Sequence, residues 1–295
     1  MKVDLVQPYG YCQGVIQAIE KAKMARQQYP STPITILGML VHNEHVLNDL
    51  KSLQIESVYD ENKDLSTLLK EIPQGIVIFT AHGHDARLEE QAKNQGLQII
   101  DATCPRVKAN HLAILRALKE GKQAIFIGKK GHPETIATLS LSSSIFFYDI
   151  HDGFLSSTIP NNNTPTVIFN QTTLSILELQ KIYEKLRKNE CFSFMIQDEI
   201  CAATRLRQEA LLHLKEIPEA ILIVGDPRSN NTEALRKIAL EHYPKTIVYK
   251  ICDVSDLEPH MTQFSSIALV SGASTPNEIT EAIYHYLMQK AEKKS

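Results

Sequence analysis

The segment LQIIDATCPRVKANHLAILRALKEGKQAIFIGKKGHPET, residues 97–135, decides the fold. It opens on a β-like run, Leu97–Ile100, and turns through a few polar residues to Cys104. A helix-like stretch follows, Pro105–Glu120, rich in Ala, Leu, Lys and Glu. The strand AIFIG then ends at Gly128 and runs into a polar loop, KKGHPET. Strand, cysteine, helix and second strand in this order are the parts of a parallel α/β unit.

The same plan occurs on both sides of this segment. Val3–Val6 precedes Cys12, and Phe192–Ile196 precedes Cys201. Helix-like segments follow at Gln13–Gln27 and Ala202–Glu216, the first with Val15, Ala18, Ile19 and Ala22 at helical spacing. The strands ITILG and ILIVG end at Gly38 and Gly225, giving cysteine-to-glycine intervals of 26, 24 and 24 residues. The loops after the glycines read MLVHNEH, KKGHPET and DPRSNNT. Each copy then has a β-rich stretch with a tyrosine (ESVYD, IFFYD, TIVYK) and a last apolar strand entering a second polar loop (IVIFTAHG, TVIFNQTT, IALVSGAS). From the cysteine to His82, Thr172 and Ser274 is 70, 68 and 73 residues. Any α/β chain alternates strands and helices, but here the loop chemistry recurs with the spacing, which marks an internal repeat.

The repeat predicts an α/β fold of three pseudo-threefold related lobes with mainly parallel sheets, at residues 13–101, 102–197 and 198–281, with a C-terminal helix and tail at 282–295. The third copy lacks a closing strand, because the chain ends in a helix, Ile279–Lys290. The orphan N-terminal strand is the matching piece, so residues 1–11 are expected to complete the third sheet. Functional loops of parallel sheets gather at the carboxyl ends of the strands. All three cysteines and the polar loops should therefore face one central cavity.

Bulk properties narrow the function. The chain has 295 residues and a formal charge of -3, so no global basic surface favours non-specific nucleic-acid binding. The N-terminus MKVDLVQPYGYC lacks the basic-then-apolar order of a signal peptide, and no apolar run approaches the ~18–20 residues needed to cross a bilayer. A cytoplasmic protein without a membrane partner is expected. Five cysteines, an odd number without any C-x-x-C, exclude a dense disulfide scaffold and a zinc ribbon. Cys191 and Cys252 fall outside the repeat register and read as small buried hydrophobes.

Cys12, Cys104 and Cys201 each precede a helix, whose positive end favours a thiolate. Three thiolates on a pseudo-threefold axis suit a [4Fe–4S] cluster with one iron left open, whereas electron-transfer clusters usually take four cysteines. Zinc with three protein ligands is the rival reading, and three buried structural cysteines the plainest one. The loops add His42 and Asn43, His82, His132 and Glu134, Thr172 and Thr173, Ser229 with Asn230 and Asn231, and Ser274 with Thr275. Hydroxyls, amides and imidazoles of this kind, with backbone N–H groups near Gly272, can surround a diphosphate without Lys or Arg. Arg106, Lys108 and Arg228 are expected at the surface or rim. Neither a P-loop nor a strand-anchored G-x-G-x-x-G is present, so ATP and NAD gain no support. Glu134 is the natural proton source, its pKa raised by burial and by a negatively charged site, and Thr172 could relay the proton.

The segments GYCQGV (Gly10–Val15), VHN (Val41–Asn43), AHG (Ala81–Gly83), DATCP (Asp101–Pro105), GHPE (Gly131–Glu134), QTTLS (Gln171–Ser175), SNN (Ser229–Asn231) and GAS (Gly272–Ser274) resemble those of the 4-hydroxy-3-methylbut-2-enyl diphosphate reductase (LytB or IspH) family. The resemblance runs in order from about residue 10 to 280. It implies a trefoil-like fold around a [4Fe–4S] cluster on Cys12, Cys104 and Cys201. It also implies reductive removal of the substrate's C4 hydroxyl to give isopentenyl and dimethylallyl diphosphates, the last step of the non-mevalonate pathway. His42, His82, His132, Ser229, Asn231 and Ser274 would contact the diphosphate, and Glu134 and Thr172 would form the proton relay. Electrons would come from a ferredoxin or flavodoxin. Where the family has a loop near GSKNSSN, this chain has Gly225-Asp226-Pro227-Arg228-Ser229-Asn230-Asn231. Asn230 still donates hydrogen bonds, while Asp226 adds a negative charge near a diphosphate site, so a reshaped site is expected. A quinolinate-synthase-like dehydratase does not explain GHPE and QTTLS in these positions. A non-catalytic iron–sulfur sensor would need neither Glu134 nor Thr172.

Overall fold

The computed structural model describes residues 1–154, 160, 163–188, 193–197 and 200–292; Cys191 lies outside them. After β1 (Lys2–Leu5), the first lobe contains α1 (Gln13–Gln28), β2 (Ile34–Leu37), α2 (Glu44–Ser52), β3 (Ile55–Val58), α3 (Leu65–Lys70), β4 (Ile76–Phe79), α4 (Ala86–Asn94) and β5 (Gln98–Asp101). The second contains α5 (Pro105–Lys119), β6 (Gln123–Gly128), α6 (Pro133–Leu139), β7 (Ile145–Asp149), β8 (Gly153–Phe154), β9 (Thr166–Asn170), α7 (Ile176–Lys188) and β10 (Phe194–Ile196). The third contains α8 (Ala202–Leu212), β11 (Ala220–Val224), α9 (Asn230–His242), β12 (Ile247–Ile251), β13 (Ser266–Ser271) and α10 (Asn277–Glu292).

The sheets run β3-β2-β4-β5, β7-β6-β9-β10 and β12-β11-β13-β1, the same order three times, with β8 added antiparallel to the outer side of β7. All other pairings are parallel. In the first two lobes the fourth strand comes from the end of that lobe's own sequence. In the third it is β1, which pairs with β13 from Lys2↔Ser266 to Leu5↔Leu269.

The inner strands are apolar on both faces, the mark of parallel sheets covered by helices on each side. In β4, Ile76 and Ile78 join a core under α1 and α2, while Val77 and Phe79 join a second core under α3 and α4. β6 divides in the same way between Ile125 with Ile127 and Ala124 with Phe126. β11 does so between Ile221 with Ile223 and Ala220 with Leu222.

Two expected boundaries move. The helix expected over Ala202–Glu216 stops at Leu212, because His213 leaves helical geometry and its ring nitrogen joins its own N–H at the Glu209 carbonyl. The boundary expected at residue 281 falls inside α10. That helix packs Ile283 and Leu287 against Ala220, Leu222 and Leu269, so it belongs to the third core. Among the described residues, no helix is long and apolar enough to cross a membrane.

Candidate active site

Each cysteine sits in the loop leaving the edge strand of one sheet, at the N-cap of the next lobe's first helix. Cys12, Cys104 and Cys201 have extended backbones there, and none uses its side chain as a cap. Their N–H groups donate to the carbonyls of Ala273, Ala81 and Thr172 at 2.9, 3.0 and 3.2 Å, so each is pinned to the loop after an inner strand. In DATCP the carboxylate of Asp101 accepts from the Thr103 N–H at 2.8 Å and pairs with Lys108, which shapes the turn into Cys104. The three thiols line one cavity of about 100 Å³. Burial pushes the Cys104 thiol up, N–H groups of Arg106 and Val107 pull it down, and Cys12 and Cys201 add to the upward shift.

Two further features show that this corner suits a sulfur-ligated group. A Cβ on Gly14 would stand 2.6 Å from Cys104 Sγ and 3.9 Å from Cys12 Sγ, so the first turn of α1 makes room for the sulfurs through its glycine. Arg207, 4% exposed, reaches from α8 to the Gly10 carbonyl at 2.7 Å and feels both Cys12 and Cys201. A buried guanidinium there sets a positive charge beside the two thiols. Cys201 Sγ also lies 3.2 Å from Thr204 Oγ1. Thr204 and Arg207 were missed in the sequence. The signal was there, since positions 201, 204 and 207 lie three apart along one helix.

The cavity also receives His42, His82, His132, Glu134, Thr172, Ser229, Asn230, Asn231 and Ser274. His132 caps α6, with Pro133 in the first turn, and its Nδ1 accepts from the Glu134 N–H at 3.2 Å. That fixes the neutral tautomer with the proton on Nε2. Glu134 is 1% exposed, and its carboxylate accepts from the Thr172 N–H and Oγ–H, each at 2.8 Å. Burial raises its pKa to about 7 against the lowering effect of both Thr172 bonds. Desolvation is the largest cause and the one that raises it.

His42 and His82 stack with centroids 4.3 Å apart, and His132 meets them edge-on at 5.6 and 5.4 Å. Burial lowers His42 to about 4, His132 to about 3 and His82 well below the usual range, so all three are neutral at pH 7. One nitrogen from each lies within 4.8 Å of the others, close enough to surround a single polyanion or cation. Opposite them, Ser229 caps α9 through a 3.3 Å bond from the Thr232 N–H, which brings the helix's positive end to the cavity. His82 Nδ1, Asn230 Nδ2, and both side-chain heteroatoms of Asn231 are buried without a partner. Orphaned polar atoms at the edge of a cavity are what a polar ligand satisfies.

Two expectations change. Asp226 is not among the cavity-lining residues; it is buried against Arg228, with its carboxylate held below the usual range. Burial there is outweighed by the Arg228 hydrogen bonds and charge. Arg106 lines the cavity while staying exposed, in keeping with the surface or rim position expected. Cys252 is half-buried, with its thiol 3.8 Å from the Gly225 carbonyl.

The chain matches the family described as LytB protein over residues 3–288. A Bacillus cytotoxicus protein named 4-hydroxy-3-methylbut-2-enyl diphosphate reductase is 35% identical over 98% of this chain and 91% of its own. A Macrococcus caseolyticus protein of the same name is 36% identical over 97% and 89%. The Plasmodium falciparum structure titled E-1-hydroxy-2-methyl-but-2-enyl-4-diphosphate reductase superposes with a TM-score of 0.84 at 28% identity, covering 97% of this chain and 87% of that one. A second structure, titled as the terminal enzyme of the non-mevalonate pathway, gives 0.65 at 26% identity over 98% and 100%. With near-complete coverage by the family and by its reductases, this chain belongs to the LytB family.

Proposed function

We propose that this chain reduces (E)-4-hydroxy-3-methylbut-2-enyl diphosphate to isopentenyl and dimethylallyl diphosphates, the last step of the non-mevalonate isoprenoid pathway. It is an oxidoreductase, and the reaction consumes two electrons and two protons and releases the C4 hydroxyl as water. The observation that carries this reading is a nearly inaccessible carboxyl with a pKa of about 7, hydrogen-bonded to Thr172 in the same cavity as three cysteines and a cradle of neutral donors.

Cys12, Cys104 and Cys201 would hold a [4Fe–4S] cluster. Their all-sulfur donor set, the space left by Gly14 and the nearby Arg207 fit such a group. When bound, the cluster supplies single electrons and an open iron as a Lewis acid for an alcohol oxygen. His42, His82, His132, Ser229, Asn231 and Ser274, with Asn230 beside them, would hold the diphosphate by neutral hydrogen bonds and by the α9 N-terminus. Glu134 would protonate the leaving hydroxyl, and Thr172 Oγ would pass the replacement proton. A ferredoxin or flavodoxin would deliver the electrons in the cytoplasm, where thiols stay reduced.

The test is anaerobic reconstitution with iron and sulfide, followed by turnover with the hydroxylated diphosphate and a strong reductant. Both diphosphate products are expected. Cluster-loaded protein that forms neither would overturn the assignment and favour an iron–sulfur sensor.

A further inference from the structure

Asp226 and Arg228 depart from the family loop, and the fold gives them a joint task outside the cavity. Asp226 is 5% exposed. Its Oδ1 accepts from the Arg228 backbone N–H and from Nε, both at 2.9 Å, and its Oδ2 accepts from Nη2 at 2.7 Å. The same Oδ2 accepts from the backbone N–H of Glu44 at 3.0 Å. Arg228 Nη2 also donates to Glu44 Oε2 at 2.7 Å. A third-lobe carboxylate and guanidinium thus grip the first residue of α2, a helix of the first lobe.

The grip has a local logic. The N–H groups in the first turn of a helix lack internal partners. Asn43, the cap of α2, accepts from the N–H groups of His45 and Val46. Glu44's N–H is left, and Asp226 takes it, placing an anion at the helix's positive end. On the other side of Asn43, Ser274 Oγ donates to the His42 carbonyl at 3.2 Å. The backbone around Asn43 is therefore held from the third lobe at two points. His42 projects from that held turn to stack on His82.

We propose that Asp226 and Arg228 are positioning residues, an interlobe clasp that fixes the His42 turn and so sets the width of the cradle between the histidines and the α9 N-terminus. Arg228 balances the charge of the buried Asp226, and the second carboxylate of the clasp, on Glu44, is exposed. Its consequence for substrate rests on the reductase reading; its existence as a clasp does not.

Two measurements on the cluster-loaded enzyme separate these claims. In Asp226→Ala, amide hydrogen exchange over residues 41–46 should accelerate about tenfold or more, at unchanged iron content. KM for the diphosphate substrate should rise about tenfold, with kcat kept within about threefold, since a misplaced binding donor weakens ground and transition states alike. Asp226→Asn should fall between, because its amide oxygen still accepts the Glu44 N–H. If Asp226→Ala fails to fold, Glu44→Ala removes only the exposed arm of the clasp and should speed the same exchange about threefold. Unchanged exchange in every soluble variant overturns the clasp. Faster exchange with unchanged KM overturns its positioning role. Absence of turnover in the unaltered enzyme overturns the reductase reading, and the exchange data then still decide the clasp.

Discussion

At Glu134 the burial that raises the carboxyl to about 7 also costs stability. The folded state holds a proton there that the unfolded chain releases near 4.5, so stability falls as pH rises between 4.5 and about 7. The span corresponds to roughly 3 kcal/mol. Glu134→Gln should remove this slope and raise the urea midpoint at pH 8, while turnover drops by about 10²–10⁴ and the cluster's visible spectrum is kept. Normal turnover in that variant would strike Glu134 from the mechanism. The histidines act in the opposite sense. His42 and His132 titrate near 4 and 3 when folded, against 6.5 when unfolded, so their contribution is lost as pH falls from about 6.5 toward 3–4. Replacing His132 with Gln should flatten the acid side of a stability–pH curve measured by denaturant titration. An unchanged acid limb would mean that His132 is charged in the folded protein.

Among the elements, α1 has a glycine in its first turn where Ala would favour the helix by up to ~1 kcal/mol. Gly14 is there because Cys104 Sγ occupies the space of a side chain. Gly14→Ala should therefore leave the thermal midpoint of the apo protein unchanged or higher and sharply lower its iron content after reconstitution. Full loading would show that the sulfurs move aside freely. The polar loops at Gly38, Gly128 and Gly225 could be read from their recurrence, whereas the end of α8 could not. Helix propensity continues through Leu214 and Lys215, and the stop comes from His213 hydrogen-bonding back to Glu209. The setting of Asp226 was equally hidden. Its charge is visible in the sequence, but the arginine that neutralises it is identified as its partner only by side-chain geometry.

Across the whole molecule, β1 joins the two ends of the chain. It is the edge strand of the third sheet and leads directly to Cys12. Deleting residues 1–6 should expose the β13 edge and loosen Cys12 together, giving a more aggregation-prone protein with little bound iron. Light scattering and iron content check this; a monomeric deletion variant that still loads fully would separate β1 from the site. The C-terminal helix α10 reads as an ordinary amphipathic helix, and only its contacts show Ile283 and Leu287 buried with β11 and β13.

The sequence alone determined the repeating order of strand, cysteine, helix, glycine and polar loop, because periodicity and turn chemistry are local properties carried by neighbouring residues. From that order came three parallel α/β lobes and the list of thiols, imidazoles and hydroxyls now found around one cavity. Tertiary structure decided what each of those groups experiences. It made the histidines neutral, raised the Glu134 carboxyl to about 7, set Arg207 beside two thiols and turned Asp226 away from the cavity onto α2. Desolvation and charge pairing depend on residues far apart in the chain that packing brings within a few ångströms, and no local pattern records them.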